Sequence, residues 1–306
     1  MGIMQRVVAV VGPTGVGKSA LALKLANDFD GEIVSADSRQ IYRMLDIGTA
    51  KPTISEQKLV RHHIIDVAEP DQAFSLAQYQ QLAYQGINNI SDRNKLPILT
   101  GGSGLYVWAV LEGWQIPKVA PDLTLRHELE ARAARGEAAQ LYAELQQMDA
   151  EAAARIDHRN VRRVIRALEI NRQPQKTSAP AKTPSPFSQL VIGLTCSRGA
   201  LYKRIDMRVE GMIEQGLVDE VRSLIAKGYS TELPAMSGIG YRQIAAYLQG
   251  NTTLPDAIQQ IKYESHRLAR QQYNWFSLKN DTIHWFDVSG NYYDHLHVII
   301  SEFLKA

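Results

Sequence analysis

The chain has few of the residues that would cross-link it or bind zinc. Its 306 residues include a single cysteine, Cys196, so an internal disulfide is impossible and a cysteine-rich zinc site is excluded. No apolar run approaches the roughly 18 residues that span a bilayer, and the N-terminal segment MGIMQR lacks the pattern of a secretory signal. We therefore expect a cytoplasmic protein without membrane association.

Net charge is also low, at +2, but its distribution along the chain is uneven. Residues 155–182 carry eight Lys and Arg side chains against two Asp and Glu. A local basic segment on an otherwise slightly acidic protein is typical of a surface that binds a polyanion such as nucleic acid. The alternative is a solvated helix face whose charges are ion-paired.

The first hundred residues alternate short apolar runs with segments of helical periodicity. These patterns predict strands at 6–12, 32–38, 62–67 and 96–102, and helices at 19–29 and 75–90. Such alternation is typical of an α/β fold in which a parallel sheet carries helices on both faces.

The character of the sequence changes near Pro117, where the strand signals stop. Residues 120–172 are rich in Ala, Glu, Gln and Arg and predict helices alone, and a proline-rich hinge follows at 171–188. Strand character returns at 189–195. We therefore predict three parts: 1–117 as the first part of an α/β core, 118–188 as an all-helical insertion, and 189–306 as the return to the core.

The last of these parts is predicted to be mostly helical. After the strand, amphipathic patterns indicate helices at 199–227, 240–249 and 255–279, a strand at 282–288, and a closing helix.

The segment GPTGVGKS matches G-x-x-x-x-G-K-[ST] between a predicted strand and a predicted helix, the context that a phosphate-binding loop requires. Its glycines let backbone N–H groups surround a phosphate, the lysine reaches the outer phosphate, and the final serine hydroxyl suits Mg²⁺. The motif leaves open which molecule carries the phosphates. The loop comprises Gly12, Pro13, Thr14, Gly15, Val16, Gly17, Lys18 and Ser19.

A carboxylate partner for this loop is predicted at Asp37. P-loop switches and motors place an aspartate after a second apolar strand to hold Mg²⁺, but the strand LPILTGG ends in threonine and glycine. Asp37 lies at the end of the strand EIVSADS, and strand C-termini line the ligand crevice of doubly wound sheets. Asp37 should therefore face the P-loop; the alternative is a turn or helix-capping role.

Further segments together resemble one family. They are SADSRQIYRMLDIGTAKP (35–52), HHIIDVAEPDQAFS (62–75), LPILTGGSGLY (96–106), RRVIRALEI (162–170), RIDMRVEGMIEQGLVDEV (204–221) and GIGYRQ (238–243). With GPTGVGKS, they resemble the tRNA dimethylallyltransferases, also called tRNA isopentenyltransferases, over nearly the whole chain. The chain resembles the bacterial form, because it carries no C-terminal Cys/His zinc-finger extension.

The resemblance implies a P-loop NTPase-like fold and a prenyl transfer. The dimethylallyl group of dimethylallyl diphosphate would pass to N6 of the adenosine just 3′ of the anticodon in tRNA, with Mg²⁺ present and pyrophosphate leaving. Asp37 would be the catalytic base, the P-loop and Arg208 would hold the diphosphate, and Ser19 would be the metal ligand. For Arg208 the alternative is a surface ion pair. We expect a monomer.

The resemblance also implies contacts with the anticodon stem-loop. Ser38, Arg39 and Gln40 match the adenine-binding stretch beside Asp37, and Ser103 matches a position near the RNA, with helix capping as its alternative. The other implied tRNA-binding residues are Arg126, Arg162, Arg163 and Arg166 on the insertion, and Tyr241 and Arg242 after a glycine turn. For the tyrosine, packing in the core is the alternative.

Two functions from other classes stay open at this point. A small-molecule or nucleoside kinase would share the P-loop and the acid but gives no role to the basic insertion. A non-catalytic RNA-binding protein would not need a complete Gly-Lys-Ser triplet or Asp37. The chain also departs from the family at His266 and Gln271, where arginines are usual; either contacts with RNA or pyrophosphate are weaker there, or Arg267 and Arg270 compensate.

Overall fold

A computed structural model describes residues 4–116, 122–172 and 185–306, with the backbone alone at Leu123. Its strands are β1 Arg6–Val11, β2 Gly31–Ser35, β3 His62–His63, β4 Leu96–Thr100, β5 Ser188–Thr195 and β6 Ile283–Asp287. Its helices are α1 Lys18–Asp28, α2 Ile54–Leu59, α3 Leu76–Ser91, α4 Gly104–Leu111, α5 Leu123–Ala134, α6 Ala138–Met148, α7 Ala150–Arg155, α8 Val161–Asn171, α9 Arg198–Glu214, α10 Leu217–Ala226, α11 Tyr241–Leu248, α12 Leu254–Trp275 and α13 Tyr293–Lys305, with a 3₁₀ turn at Ala235–Ser237.

The six strands form one sheet in the order β3-β2-β4-β1-β5-β6, and every pairing is parallel. Val8 of β1 is paired with Ile98 of β4 on one side and Leu190 of β5 on the other. The apolar residues of β1 are fully buried, as expected for a central strand covered on both faces. The predicted α/β fold with a parallel sheet is therefore confirmed.

The sheet order places three loops at one edge. Because β4 lies between β1 and β2, the carboxyl ends of these three strands are neighbours. The P-loop follows β1, the segment containing Asp37 follows β2, and the GGSG segment at 101–104 follows β4. In open parallel sheets this edge is where ligands bind.

Some predicted elements differ from those observed. The third strand, predicted over 62–67, ends after His63, because Ile64 and Asp66 adopt φ angles of 62° and 55° that turn the chain out of the sheet. The helix predicted at 199–227 is two helices, divided at Gly216 with φ of 100°. Helix α4 carries no polar face, since seven of its eight residues are buried, so periodicity gave no sign of it.

The chain divides into two compact units. The first comprises Met1–Gly113 with Pro184–Ala306 and contains the sheet; the second is Trp114–Thr183. In the second unit, α5 to α8 pack around buried Leu129, Leu141, Leu145 and Leu168. A division into compact units does not establish where a domain begins or ends. The predicted limits of the insertion, 118–188, therefore stay a prediction. Most of the predicted proline-rich hinge, at 173–184, lies outside the described residues.

None of the helices in the described ranges is long and apolar enough to cross a bilayer.

The turn that follows the Asp37 segment is held by a buried ammonium group. The Lys51 side chain is only 3% exposed, and its Nζ lies 2.6 Å from carboxylate oxygens of Asp46 and Asp66. It also donates a hydrogen bond to the Tyr42 carbonyl at 2.9 Å. A buried charge is stable only when it is paired and hydrogen-bonded in this way.

A carboxylate fixes the same turn from the opposite side. The two Glu220 side-chain oxygens accept hydrogen bonds from the backbone N–H groups of Asp46, Ile47 and Gly48 at 3.1, 2.8 and 3.2 Å. Glu220 also accepts a hydrogen bond from the Tyr241 hydroxyl at 2.6 Å. The segment DIGTAKP is therefore stabilised by its own buried Lys51 and by Glu220 of α10.

Replacing Lys51 with methionine should lower the free energy of unfolding by about 2–4 kcal/mol, because three charge-assisted hydrogen bonds are lost. Urea unfolding measures the change. The exposed Lys58→Met is the matched control and should shift stability by less than about 0.5 kcal/mol. Equal effects of the two substitutions would show that the buried cluster does not stabilise the turn.

Candidate active site

The three loops at the carboxyl edge of the sheet open into one cavity of about 830 Å³. Its walls come from the P-loop, the segments after β2 and β4, and the facing sides of α9 and α12. The sequence-predicted residues that line it are Thr14, Gly15, Gly17, Lys18, Ser19, Asp37, Ser38, Arg39, Gln40, Ser103, Arg208 and Tyr241. The fold thus brings together the residues predicted to hold a diphosphate and those predicted to meet the adenine.

The P-loop has the geometry of an anion site. Helix α1 begins at Lys18, directly after Gly17, and no side chain of the described residues caps its N-terminus. Ser19 is exposed on the cavity wall. Backbone N–H groups at such a helix start, together with the helix dipole, favour a bound phosphate.

Two positive side chains share this end of the cavity. Lys18 Nζ donates to the Pro13 carbonyl at 2.8 Å, and Arg208 Nη1 donates to Thr14 Oγ1 at 3.3 Å. Burial and the nearby Arg208 guanidinium lower the pKa of Lys18 to about 7, with Asp37 opposing the shift. Burial likewise lowers the pKa of Arg208. Both pKa shifts arise chiefly from burial, which disfavours the charged forms, and the negative charge of a bound diphosphate would favour those forms again.

Asp37 is half-buried and has a structural role in addition to its position opposite the P-loop. Its Oδ1 accepts hydrogen bonds from the backbone N–H groups of Arg39 and Gln40 at 2.8 and 3.4 Å. No hydrogen bond to Oδ2 occurs among the described residues. One oxygen therefore shapes the turn, as the alternative predicted, while the other is open to a ligand in the cavity.

The residues after Asp37 are held in place by contacts with other segments. Ser103 Oγ accepts from the Ser38 N–H at 3.0 Å, so this hydroxyl ties two loops together and does not cap α4. The Gln40 amide donates to the carbonyls of Thr49 and Ala50 at 3.3 and 3.2 Å. The functional roles predicted for these side chains stay predictions, but their positions are set by the fold.

The Arg39 guanidinium lies over the 3₁₀ turn at 235–237. It donates to the Pro234 carbonyl and, at 3.2 Å, to the Ser237 hydroxyl.

Tyr241 and Arg242 are placed differently from one another. Tyr241 is 1% exposed and donates its hydroxyl to Glu220, which favours the core-packing alternative although its ring edge reaches the cavity. Arg242 is exposed and pairs with Glu264. Their predicted contacts with RNA stay predictions.

The four arginines of the helical unit that were predicted to bind tRNA fall into two groups. Arg126 binds the buried Glu169 carboxylate with two hydrogen bonds of 2.8 and 2.7 Å, and Arg166 lies 3.1 Å from the same carboxylate. Arg162 and Arg163 are exposed on α8. The exposed pair are the candidates for phosphate contacts, whereas the other two take part in an internal ion pair.

Sequence reasoning missed one site residue, Gln272 on α12. It is 6% exposed and hydrogen-bonds with both the P-loop and the segment after β4. Its signal was its place in a series of buried positions of α12, which runs through Ala257, Ile261 and Ala269. A polar residue in such a series must find polar partners inside the fold.

Fold and cavity together define a parallel α/β protein in which a candidate anion site and a carboxylate line one cavity. A model of the family described as IPP transferase matches residues 40–280. The tRNA dimethylallyltransferase of Dehalococcoides mccartyi is 52% identical over 90% of this chain and 86% of its own length. The chain therefore belongs to the IPP transferase family.

Solved structures agree with this assignment. A tRNA isopentenylpyrophosphate transferase from Bacillus halodurans matches with a TM-score of 0.73 and 40% identity, over 98% of this chain and 97% of its own. A eukaryotic dimethylallyltransferase acting on tRNA matches with a TM-score of 0.81 over 98% of this chain and 80% of its own. At 23% identity, that second likeness shows the fold alone.

The contribution of Lys18 to pyrophosphate affinity should decline as pH rises above about 7. A bound diphosphate favours the lysine ammonium, so it raises the pKa of Lys18 above its ligand-free value of about 7. Binding is then strongest below that pH and weakens by up to about tenfold per unit above it. Calorimetry between pH 6 and 9 should compare the wild type with Lys18→Arg, which keeps its charge. The ratio of the two dissociation constants cancels the ligand's own titration, and a ratio independent of pH would contradict the prediction.

Proposed function

We propose that this protein transfers the dimethylallyl group of dimethylallyl diphosphate to N6 of the adenosine just 3′ of the anticodon in tRNA. The observation that carries the proposal is that Asp37 lines the same cavity as the P-loop and Arg208, which together we call the diphosphate cradle. Family membership and the names of the relatives support it.

The chemistry asks two things of the site. The exocyclic amine is a weak nucleophile, so a carboxylate that accepts its hydrogen bond orients it and takes the proton as the C–N bond forms. Asp37 Oδ2 is suited to that step, because Oδ1 is occupied by the turn. As the C–O bond breaks, Lys18 and Arg208 would stabilise the negative charge that develops on pyrophosphate.

The donor set fits Mg²⁺. Ser19, the last residue of the P-loop, lines the cavity and offers a hydroxyl oxygen. Mg²⁺ keeps several waters and binds through few protein oxygens plus substrate phosphates, which such a site allows. When bound, the ion would neutralise charge on the diphosphate oxygens.

The acceptor base must leave its stack to reach the carboxylate inside the cavity, which favours a nucleotide in a loop. We propose that Ser38 and Arg39 contact the flipped adenosine and that Arg162 and Arg163 bind RNA phosphates. We also propose that the enzyme is a monomer in the cytoplasm, where its tRNA substrate occurs. Incubation with tRNA and labelled dimethylallyl diphosphate or ATP tests the proposal, since a kinase would transfer label from ATP.

Asp37→Asn should reduce the turnover number about 10²–10⁴-fold, the usual contribution of a general base, and change tRNA affinity only a few-fold. The asparagine oxygen can still accept the hydrogen bonds from Arg39 and Gln40, so the turn should persist. Single-turnover kinetics at saturating tRNA gives the rate, with the exposed Asp281→Asn as a neutral control. A variant that binds tRNA poorly but reacts at the normal rate would make Asp37 a binding residue only.

Changing Arg162 and Arg163 together to alanine should weaken tRNA binding and leave pyrophosphate binding intact. Each lost phosphate contact lowers the slope of log affinity against log salt by about 0.7–0.9, through counterion release. Filter binding at several salt concentrations measures the slope. Arg222→Ala, which removes an exposed arginine paired with Asp219, is the control. An unchanged slope in the double variant would indicate a solvated face and RNA bound elsewhere.

A further inference from the structure

Gln272 connects two loops of the cavity through a single side-chain amide. Its Oε1 accepts a hydrogen bond from the Thr14 backbone N–H at 2.7 Å, and its Nε2 donates one to the Gly102 carbonyl at 2.9 Å. Thr14 belongs to the P-loop, and Gly102 belongs to the segment after β4. The amide is buried, so both bonds form away from competing water.

Each of the two segments that Gln272 bonds is also hydrogen-bonded to a part of the proposed site. The Thr14 hydroxyl accepts a hydrogen bond from Arg208, one of the two cations of the diphosphate cradle. Next to Gly102, Ser103 accepts a hydrogen bond from the Ser38 N–H, one residue beyond Asp37. The Gln272 amide is therefore the link through which α12 connects the diphosphate cradle with the segment that carries the carboxylate.

The Gln272 amide lies directly against the backbone of Gly102. A Cβ added at Gly102 would lie 2.3 Å from Gln272 Nε2 and 3.9 Å from Lys18 Nζ. No side chain at position 102 could share this space, so the amide packs against the segment after β4 while it bonds to the P-loop. A change in its length or polarity removes or strains both hydrogen bonds.

We propose that Gln272 is a positioning residue that sets the separation between the diphosphate cradle and the Asp37 segment. The role rests on the proposed prenyl transfer, in which the departing pyrophosphate and the attacking amine occupy these two ends. Misplacement of reacting groups by about 1 Å can reduce a rate about 10²-fold. Gln272 does not itself touch reacting atoms in this role.

The first test is Gln272→Met, which keeps an unbranched side chain but loses both hydrogen bonds. We expect the single-turnover rate to fall about 10–10²-fold while the pyrophosphate dissociation constant changes less than about threefold. A wild-type rate would overturn the proposal. Parallel losses of rate and pyrophosphate affinity would also overturn it, because Gln272 would then serve the cradle alone.

The second test is Gln272→Glu, which can restore the link by protonation. A neutral carboxyl group accepts from Thr14 and donates to the Gly102 carbonyl, whereas a carboxylate has no proton to donate and repels that carbonyl. The rate of the variant divided by the wild-type rate should therefore fall as pH rises from 5 to 9. A ratio independent of pH would overturn the proposal.

Controls separate this role from general destabilisation and from failure of the proposed function. Gln259→Glu makes the same change at an exposed position of α12 and should keep wild-type rates at every pH. Thermal midpoints across the same range must show that the variants are folded at the assay temperature. If the wild type transfers no prenyl group, the proposed function itself fails, whereas a wild type that transfers it together with a Gln272→Met variant of unchanged rate overturns only the positioning role.

Discussion

The close approach of the segment after β4 to its two neighbours is the constraint on which the cavity depends. Because β4 lies between β1 and β2, residues 101–104 must pass beside the loop that follows each of them. A Cβ at Gly101 would lie 2.1 Å from the Ala36 carbonyl oxygen, so only glycine fits there. The Ser103 N–H then donates to the same carbonyl at 3.1 Å. The GGSG sequence is thus required by packing as much as by any ligand.

The positive and negative side chains of the cavity lie on different segments. Lys18 and Arg208 lie at the end formed by the P-loop, and their lowered pKa values show that burial there disfavours uncompensated cations. Asp37 moderates this effect for both groups. A ligand with several negative charges relieves the imbalance, while a neutral base can approach the carboxylate. The two ends therefore suit the two substrates of a prenyl transfer to an amine.

Ion pairs with one buried partner stabilise the turn after β2 and the helical unit. Lys51 with Asp46 and Asp66 holds the turn after β2, and in the other unit Arg126 pairs with the buried Glu169. In each case a long cationic side chain is hydrogen-bonded to a carboxylate within the protein, so its charge is not offered to a ligand. Counting basic residues along the sequence therefore overstates the charge available to RNA.

The sequence by itself determined the parallel sheet, the P-loop and the strand-end position of Asp37. These features follow from local patterns, namely apolar runs, glycine spacing, and the rule that parallel strands present their carboxyl ends at one edge. His63 marks where this reasoning reached its limit, since the strand ends there on account of positive φ angles that no periodicity encodes.

Only the tertiary structure decided which polar side chains are engaged inside the fold. Gln272 bonds to Thr14 across 258 positions, Tyr241 is buried against Glu220, and Arg126 of α5 binds the Glu169 carboxylate of α8. Such pairs leave no local pattern, because their members are brought together by the packing of distant helices. Burial then makes each pairing obligatory, since an unsatisfied polar group away from water destabilises the fold.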